Sequence, residues 1–167
     1  KNTLVCIFTE GASNPSGKMV DWNQITPVIP KKCYLIVDNT WLTPVIFNPF
    51  SIGADVVVDS CTKYLSGGTC IAGIVCFAKK KDRLANTVDF LIRVMGIHVP
   101  SNSCKLVSNG LDTLTNRLEI VHINSTFILQ KLQHNDFVET IMHQSMPAHE
   151  SHVNYMKYTS RQASGVI

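Results

Sequence analysis

The chain has 167 residues, of which 45% are hydrophobic and 16% charged, and its formal net charge is +3. This composition excludes a disordered chain. The small net charge argues against nucleic-acid binding, so we expect the one basic run, Lys79–Lys81, to lie in a solvated loop. No apolar stretch approaches the roughly 20 residues that cross a bilayer and no secretory leader opens the chain, so we expect a soluble, cytoplasmic protein.

Short apolar runs predict the strands of a mainly parallel sheet. Runs without the alternation of a half-exposed strand are typical of strands that are buried on both faces. The four runs are Leu4–Phe8, Tyr34–Val37, Val56–Val58 and Ala72–Phe77. Between the first two, Asp21 is expected to cap a short helix that ends near Pro30. Strands that alternate with helices indicate an α/β fold.

The pattern becomes helical after Asp82. Two helices are predicted, over Leu84–Met95 and from Ser101 or Ser103 to about Gln133. Gly110 lies within the long helix and is expected to weaken it by about 1 kcal/mol relative to alanine. Beyond the long helix, a strand is predicted at Phe137–Met142 and the start of another at Gly165–Ile167.

The cysteines and histidines do not predict a metal site. None of the six cysteines forms a Cys-x-x-Cys pair, and most lie in or beside apolar runs, so we expect reduced, buried thiols. His149 and His152 could share a helix face, with His143 nearby, but the spacing places no third ligand. We therefore expect surface or turn histidines.

Polar side chains stand where the predicted strands end. Asn14, Asp38 and Lys63 lie at or just past strand ends, and ligands of such sheets bind at the carboxyl ends of strands. Ser60 and Thr62 precede the lysine by a few residues. These groups are what a pyridoxal phosphate (PLP) site requires. A lysine amine reacts with the aldehyde of the cofactor, a carboxylate pairs with its ring nitrogen, and hydroxyls bind its phosphate. We expect Lys63 to be partly desolvated, since a free ammonium is a poor nucleophile; the alternative is a surface lysine in a loop.

The segments around these residues resemble one family of PLP enzymes, that of cysteine and methionine metabolism. Thr9–Pro15 is similar to the family's Glu-x-Pro-x-Asn-Pro turn, with Ala12 in place of a proline. Val37–Pro44 is similar to its Asp-Asn-Thr-aromatic-x-x-Pro segment, and Gly53–Tyr64 to its lysine segment. Cystathionine γ-synthase, cystathionine γ-lyase and O-acetylhomoserine sulfhydrylase are members of this family.

The resemblance continues downstream, with two departures. Asn109–Arg117 resembles the family's Arg-Gly-Leu-x-Thr-Leu-x-x-Arg helix, with Asn109 replacing the first arginine, and Pro147-x-His149 fits a later motif. After the lysine, many members carry Gly-His-x-Asp, where this chain has residues Gly67–Cys70. The resemblance covers only the middle of such an enzyme. Both ends are expected to be cut, and the stacking aromatic, the phosphate loop and the arginine that binds the substrate carboxylate have no counterpart here.

The resemblance implies a role for each candidate residue. Lys63 would form the aldimine with PLP and then act as the base, and Asp38 would pair with the pyridinium nitrogen. Ser60 and Thr62 would bind the phosphate. Asn14 would contact the phenolic oxygen, and Thr40 would lie near the ring. Tyr64 is expected to be structural.

The resemblance also implies fold, assembly and activity. The expected fold is that of the large domain of a fold type I, PLP-dependent transferase-like enzyme. Residues 1–133 are expected to form part of this PLP-binding large domain and a linking helix. Residues 134–167 are expected to start a small α+β domain. The expected activity is a C–S lyase or γ-replacement reaction of transsulfuration on cystathionine or homoserine-ester substrates, by a homotetramer. The alternative is a truncated, non-catalytic homologue that serves as an assembly or interaction subunit.

Overall fold

The structure, a computed structural model, describes residues 5–167 and is built on a four-stranded sheet in the order β1-β2-β3-β4. The strands are β1 (Val5–Glu10), β2 (Cys33–Asp38), β3 (Val56–Ser60) and β4 (Gly73–Phe77). The first three are parallel, so the predicted α/β fold with a mainly parallel sheet is confirmed. Leu4, assigned to the first predicted strand, lies outside the described residues.

The fourth strand runs antiparallel to β3, from Ser60 opposite Gly73 to Val56 opposite Phe77. The reason is the short connection between them. A parallel neighbour needs a crossover that usually contains a helix long enough to run back along the sheet, whereas residues 61–72 contain only the single turn Cys61–Leu65 and a loop that turns the chain back. This loop contains Lys63.

Five α-helices lie in the described part of the chain: α1 (Trp22–Ile25), α2 (Thr43–Ile46), α3 (Asp82–Met95), α4 (Ser101–Gln133) and α5 (His152–Tyr158). Helices α3 and α4 form with nearly the predicted bounds, and the short helix predicted after Asp21 forms as α1 followed by a 3-10 turn over Thr26–Val28. Helices α2 and α5 were not predicted. The Asp21 carboxylate accepts a hydrogen bond from the Asn23 amide and caps α1 as predicted. Gly96 ends α3 with a φ of 68°, a conformation that glycine adopts without strain. Within residues 5–167, no helix combines the length and the apolar character needed to cross a bilayer.

The main core lies on one face of the sheet. Leu35 and Val37 of β2 are buried there, together with Trp22, Phe47 and Tyr155. Trp22 and Phe47 stack with their ring centroids 6.2 Å apart, which adds to the burial of both rings. This core fixes the position of β2, and with it the strand end that carries Asp38.

The strand predicted at Phe137–Met142 is wrong, because these residues form turns and irregular backbone, and Gly165–Ile167 is irregular as well. A strand needs a neighbour to satisfy its backbone groups, and none of the described strands lies beside them. The C-terminal residues instead pack on the main core: Tyr155 is fully buried in it, and the Ser151 hydroxyl accepts a hydrogen bond from the Met19 amide at 2.9 Å. The division into two domains after residue 133 stays a prediction.

The histidines are more deeply placed than predicted. His143 is fully buried, and burial lowers the pKa of its ring. The Ser145 amide donates to its Nδ1 at 3.2 Å, so that nitrogen carries no proton. His149 and His152 each bond a backbone oxygen, of Ser16 and Gln144 respectively. The expectation of surface or turn histidines is therefore met by His143 only in part, because it is not a surface residue but starts a turn in which the Met146 amide donates to its carbonyl at 2.9 Å.

The thiols are all free, and two of the six match the expected burial. Cys33 and Cys61 are buried, whereas Cys6 and Cys104 are exposed. In the part of the chain that the structure describes, no three His, Cys, Asp or Glu side chains are grouped closely enough to hold a metal ion.

Asp55 links the start of β3 to β2 and to the basic run. Its Oδ2 accepts a hydrogen bond from the Leu35 amide at 3.0 Å, and its Oδ1 lies 2.9 Å from the Lys81 ammonium. The Lys81 side chain is only 24% exposed, so this end of the basic run is not a solvated loop.

Replacing Asp55 with alanine is therefore expected to lower the free energy of unfolding by about 2–4 kcal/mol, because it leaves a buried amide and an ammonium without a partner. Chemical denaturation would measure the change, with Asp112→Ala on the exposed side of α4 as the control. A change within about 0.5 kcal/mol, as for an ordinary surface substitution, would contradict this reading.

Candidate active site

A cavity of about 920 Å³ lies at the carboxyl ends of β1, β2 and β3. All six residues that the sequence singled out line it, from three strand ends and the loops that follow them. They are Asn14, Asp38, Thr40, Ser60, Thr62 and Lys63. The convergence that was expected from strand-end positions is therefore present in the structure, although what each side chain does there stays a prediction.

Asp38 ends β2 and is held by the turn that follows it. Its Oδ1 accepts a hydrogen bond from the Thr40 amide at 2.9 Å, and the residue is half-buried. The Thr40 hydroxyl in turn accepts a hydrogen bond from the Ser60 amide at 2.8 Å. Thr40 thus ties the end of β2 to the end of β3, which orients the Asp38 carboxylate relative to the loop that carries Lys63.

Lys63 lies in the middle of a single irregular turn, Cys61–Leu65, at the head of what we call the lysine loop (residues 61–68). Its backbone has a φ of −92° and a ψ of −112°, outside the helical and strand regions. Gly67 and Gly68 follow with φ angles of 68° and 81°, and the Gly68 amide donates to the Lys63 carbonyl at 3.0 Å. The two glycines are needed here because both take a left-handed backbone conformation.

The side chain of Lys63 is exposed in this chain, so the expectation of partial desolvation is wrong. Gly67 and Gly68, which follow in the same loop, are also exposed and have no side chain that would shield the ammonium. Lys63 still lines the cavity together with Asp38.

The hydroxyl of Thr62 has protein partners of its own. It donates to the Ala72 carbonyl at 3.4 Å and accepts from the Ala72 amide at 3.3 Å. Both distances are long for hydrogen bonds, so a stronger acceptor in the cavity could compete for the hydroxyl proton. Ser60 also lines the cavity, two residues earlier.

Glu10 is a second carboxylate of the cavity that was not among the predicted site residues. It is paired with Asp38 in the parallel register of β1 and β2, which places both side chains on the same face of the sheet. Its Oε2 also accepts a hydrogen bond from the Asn14 amide at 3.3 Å. Glu10 could have been predicted as a site residue from the sequence, since it opens the turn that contains Asn14.

One wall of the cavity is apolar and comes from distant parts of the chain. It consists of Trp41, Ile120, Val121 and Val166. The Trp41 indole donates to the Ser164 hydroxyl at 3.0 Å, which connects the C-terminal residues to this wall. Sequence reasoning missed this wall because its members come from three distant parts of the chain and share no motif.

Asp59 is a buried acid that the sequence analysis did not single out. It lies on β3 directly before Ser60, is only 8% exposed, and its Oδ1 has no hydrogen-bond partner among the described residues. Burial, together with the negative charge of Asp38, raises the pKa of Asp59 to about 7. The strand next to the cavity therefore has a carboxyl group that is partly protonated at neutral pH, although Asp59 itself does not line the cavity.

The donor set of the cavity fits pyridoxal phosphate. Lys63 offers an amine, Asp38 retains one carboxylate oxygen beyond the Thr40 bond, and Ser60 and Thr62 offer hydroxyls, all on one cavity. These are the groups that the aldehyde, the ring nitrogen and the phosphate of this cofactor need. The cavity volume of about 920 Å³ is in the range of small-molecule sites.

Known proteins with similar sequences and structures support the same assignment. Cystathionine gamma-synthase of Escherichia coli (strain K12) is 32% identical over 154 residues, which are 87% of this chain and 38% of that protein. Cystathionine beta-lyase of Coxiella burnetii is 32% identical over 162 residues, 96% of this chain and 42% of that protein. The crystal structure of cystathionine gamma-lyase from Lactobacillus plantarum complexed with L-serine matches with a TM-score of 0.90 at 22% identity, over 99% of this chain and 43% of that chain.

The chain thus spans about two fifths of the length of the relatives it matches. The structural likeness shows that the two folds agree. At the level of sequence, all residues from 1 to 167 match the family described as Cys/Met metabolism PLP-dependent enzyme. The chain therefore belongs to the Cys/Met metabolism family of PLP-dependent enzymes.

Proposed function

We propose that this chain is the cofactor-binding centre of a PLP-dependent enzyme of transsulfuration, a C–S lyase or γ-replacement enzyme that acts on cystathionine or homoserine-ester substrates. The observation that carries the proposal is the convergence of Lys63, Asp38, Ser60 and Thr62 on one cavity. The relatives have names that cover synthase and lyase reactions, so the proposal goes as far as this reaction class.

The chain's own residues account for the binding part of this chemistry. PLP, when bound, supplies an electron sink for the carbanion that forms when an amino acid loses its α-proton. The free carboxylate oxygen of Asp38 would hold a proton on the ring nitrogen, since its other oxygen is engaged with the Thr40 amide. Ser60 and Thr62 would donate to the phosphate. Asn14 would bond the phenolic oxygen, and Thr40 would keep Asp38 in place.

Lys63 would have two tasks at its Nζ atom. The amine would first hold the cofactor covalently through its aldehyde, and after release it would take the α-proton of the substrate. Both tasks need a mobile side chain that reaches the cavity. The exposed position of Lys63 on the cavity wall meets that need.

A second candidate function is favoured by the hydroxyl of Thr62, which already has protein partners at Ala72. On that reading the chain is a non-catalytic homologue that serves as an assembly or interaction subunit. The two candidates differ in one property, which is whether PLP binds to Lys63.

Large exposed apolar side chains support assembly into a homo-oligomer. We propose that this oligomer is a dimer of dimers and that it works in the cytoplasm. On α3, Phe90, Val94 and Met95 are each more than 60% exposed, and Val75 of β4 is 43% exposed. Such groupings of apolar side chains on a surface are typical of interaction sites. They would be covered by further protein in the assembled enzyme.

A titration of the chain with PLP, followed by visible absorption, tests the proposed function. Wild type is expected to give an absorption band that Lys63→Ala abolishes, while Lys32→Ala, at an exposed control lysine directly before β2, leaves the band unchanged. Asp38→Asn is expected to weaken PLP binding by about 10- to 100-fold, as for the loss of a charged hydrogen bond. Turnover of cystathionine or O-acetylhomoserine would support the enzyme, and a folded wild type without a band would support the non-catalytic homologue.

A further inference from the structure

The helix α4 lies in direct contact with the lysine loop. The contact is made at Gly110, which is buried and has no side chain. A Cβ atom at this position would be 2.2 Å from the Leu65 carbonyl oxygen and 2.7 Å from the Ser66 Cα, both of which belong to the loop. The helix backbone therefore packs against the loop backbone with no room for a side chain between them.

Apolar side chains on the same face of α4 extend this contact. Leu114 and Leu118 are both buried, and they form a small core with Cys61 and Leu65 of the lysine loop. The two ends of the turn that contains Lys63 are thus anchored in the helix surface. Lys63 itself lies between the two anchored residues.

Arg117 closes the contact from the cavity side. Its Nη2 donates to the Gly110 carbonyl at 2.7 Å, and its Nε donates to the Thr113 hydroxyl at 3.1 Å. The same guanidinium lies beside Gly67, where a Cβ atom would be 3.6 Å from the Arg117 Cζ. Both hydrogen bonds of the guanidinium are thus made within α4, and they hold the planar group beside Gly67 at the far end of the lysine loop.

The backbone of Lys63 needs such support. Its φ and ψ of −92° and −112° are sparsely populated, and a residue keeps such a conformation only where its surroundings hold it. The loop's own hydrogen bonds, from the Ser66 amide to Cys61 and from the Gly68 amide to Lys63, are short-range. The contact with α4 is long-range, as is that of the Tyr64 side chain with Gly165.

We propose that Arg117 is a positioning residue for Lys63, acting through Gly110 and Gly67 to hold the lysine loop in place. This inference rests on the proposed function in so far as Lys63 binds the cofactor. The two donors of the guanidinium hold it on α4 so that the planar group lies beside Gly67, and a lysine at this position has one charged point and cannot make both bonds. Arg117 acts here through the loop and does not need to touch the cofactor.

The test compares Arg117→Gln, Arg117→Lys and Thr113→Val with wild type. Arg93→Gln is the matched control, because Arg93 pairs with Asp89 on the exposed surface of α3. The first measurement is amide hydrogen exchange of the lysine loop, which needs no cofactor. The second is the rate at which borohydride traps PLP on Lys63, as a function of PLP concentration.

Both Arg117 variants are expected to exchange the Ser66, Gly67 and Gly68 amides about tenfold faster, with β1 to β3 unchanged. The trapping rate at saturating PLP should fall about tenfold, because a small displacement of a reacting group has a large effect on rate. The half-saturating PLP concentration should change less than about twofold. Thr113→Val, which removes only one of the two anchors of Arg117, should give a smaller effect of the same kind.

Unchanged exchange of the loop in all three variants would overturn the proposal. A higher half-saturating concentration with an unchanged saturated rate would also overturn it, since Arg117 would then bind the anionic cofactor rather than position the loop. If Lys63 is not trapped even in wild type, the proposed function fails, and the exchange data alone decide whether Arg117 holds the loop. Should both Arg117 variants unfold, Thr113→Val decides, because its side chain is exposed and close to isosteric.

Discussion

Asp59→Asn is expected to stabilise the chain at neutral pH by roughly 2–4 kcal/mol and to leave its stability unchanged near pH 4. Asp59 is 8% exposed and one of its carboxyl oxygens has no hydrogen-bond partner in the described part of the chain. A buried, unpaired carboxylate is costly. Asparagine has the same shape and no charge.

The pH window follows from the pKa of Asp59 in the two states. Its pKa is about 7 in the folded chain, against an ordinary value of 3.8. Between these values the folded state binds more protons than the unfolded state, so this group makes stability fall as pH rises. Below about pH 4 both states are protonated, and asparagine then imitates the neutral acid.

Urea denaturation of wild type and Asp59→Asn between pH 4 and 8 measures the effect. Asp112→Asn, at an exposed position of α4, is the control for the loss of a carboxylate at a surface site. A stability difference between wild type and Asp59→Asn that does not vary with pH would show that Asp59 is not the titrating group.

Gly110→Ala is expected to lower the free energy of unfolding by about 1–3 kcal/mol, the usual range for overpacking a well-packed contact. In an isolated helix the same change would stabilise by about 1 kcal/mol. The change in the free energy of unfolding has the opposite sign here because the new Cβ would lie 2.2 Å from the Leu65 carbonyl oxygen and 2.9 Å from the Ser66 carbonyl carbon. These are backbone atoms, so either the helix or the lysine loop has to move.

Asn109→Ala, one residue earlier and exposed, is the control for helix propensity. Thermal or chemical denaturation of both variants gives the comparison. Stabilisation by Gly110→Ala comparable to that of Asn109→Ala would mean that α4 does not contact the loop as closely as described.

The sequence was sufficient to predict the sheet and the strand-end residues, because both depend on local patterns. Apolar runs predicted strands that end close to Asp38 and Ser60, and the strand-end rule then brought Asn14, Asp38 and Lys63 to one cavity. The long helix was also predicted with nearly its observed bounds.

The features that the sequence did not predict depend on contacts between distant segments. Gly110 was expected only to weaken its helix, because nothing local shows that the lysine loop packs on it. The apolar wall with Ile120 and Val166 was also not predicted, because it too forms by contact between distant segments. The strand predicted at Phe137–Met142 failed for the converse reason, since its apolar residues have no strand to pair with.

Mass spectrometry of the 167-residue chain after incubation with PLP and borohydride, with peptide mapping of the product, is the most direct test of the central claim. We expect a single pyridoxyl group, located on Lys63 and absent from Lys63→Ala. Labelling spread over exposed lysines such as Lys32 and Lys79, with no preference for Lys63, would contradict the assignment of this cavity as the cofactor site.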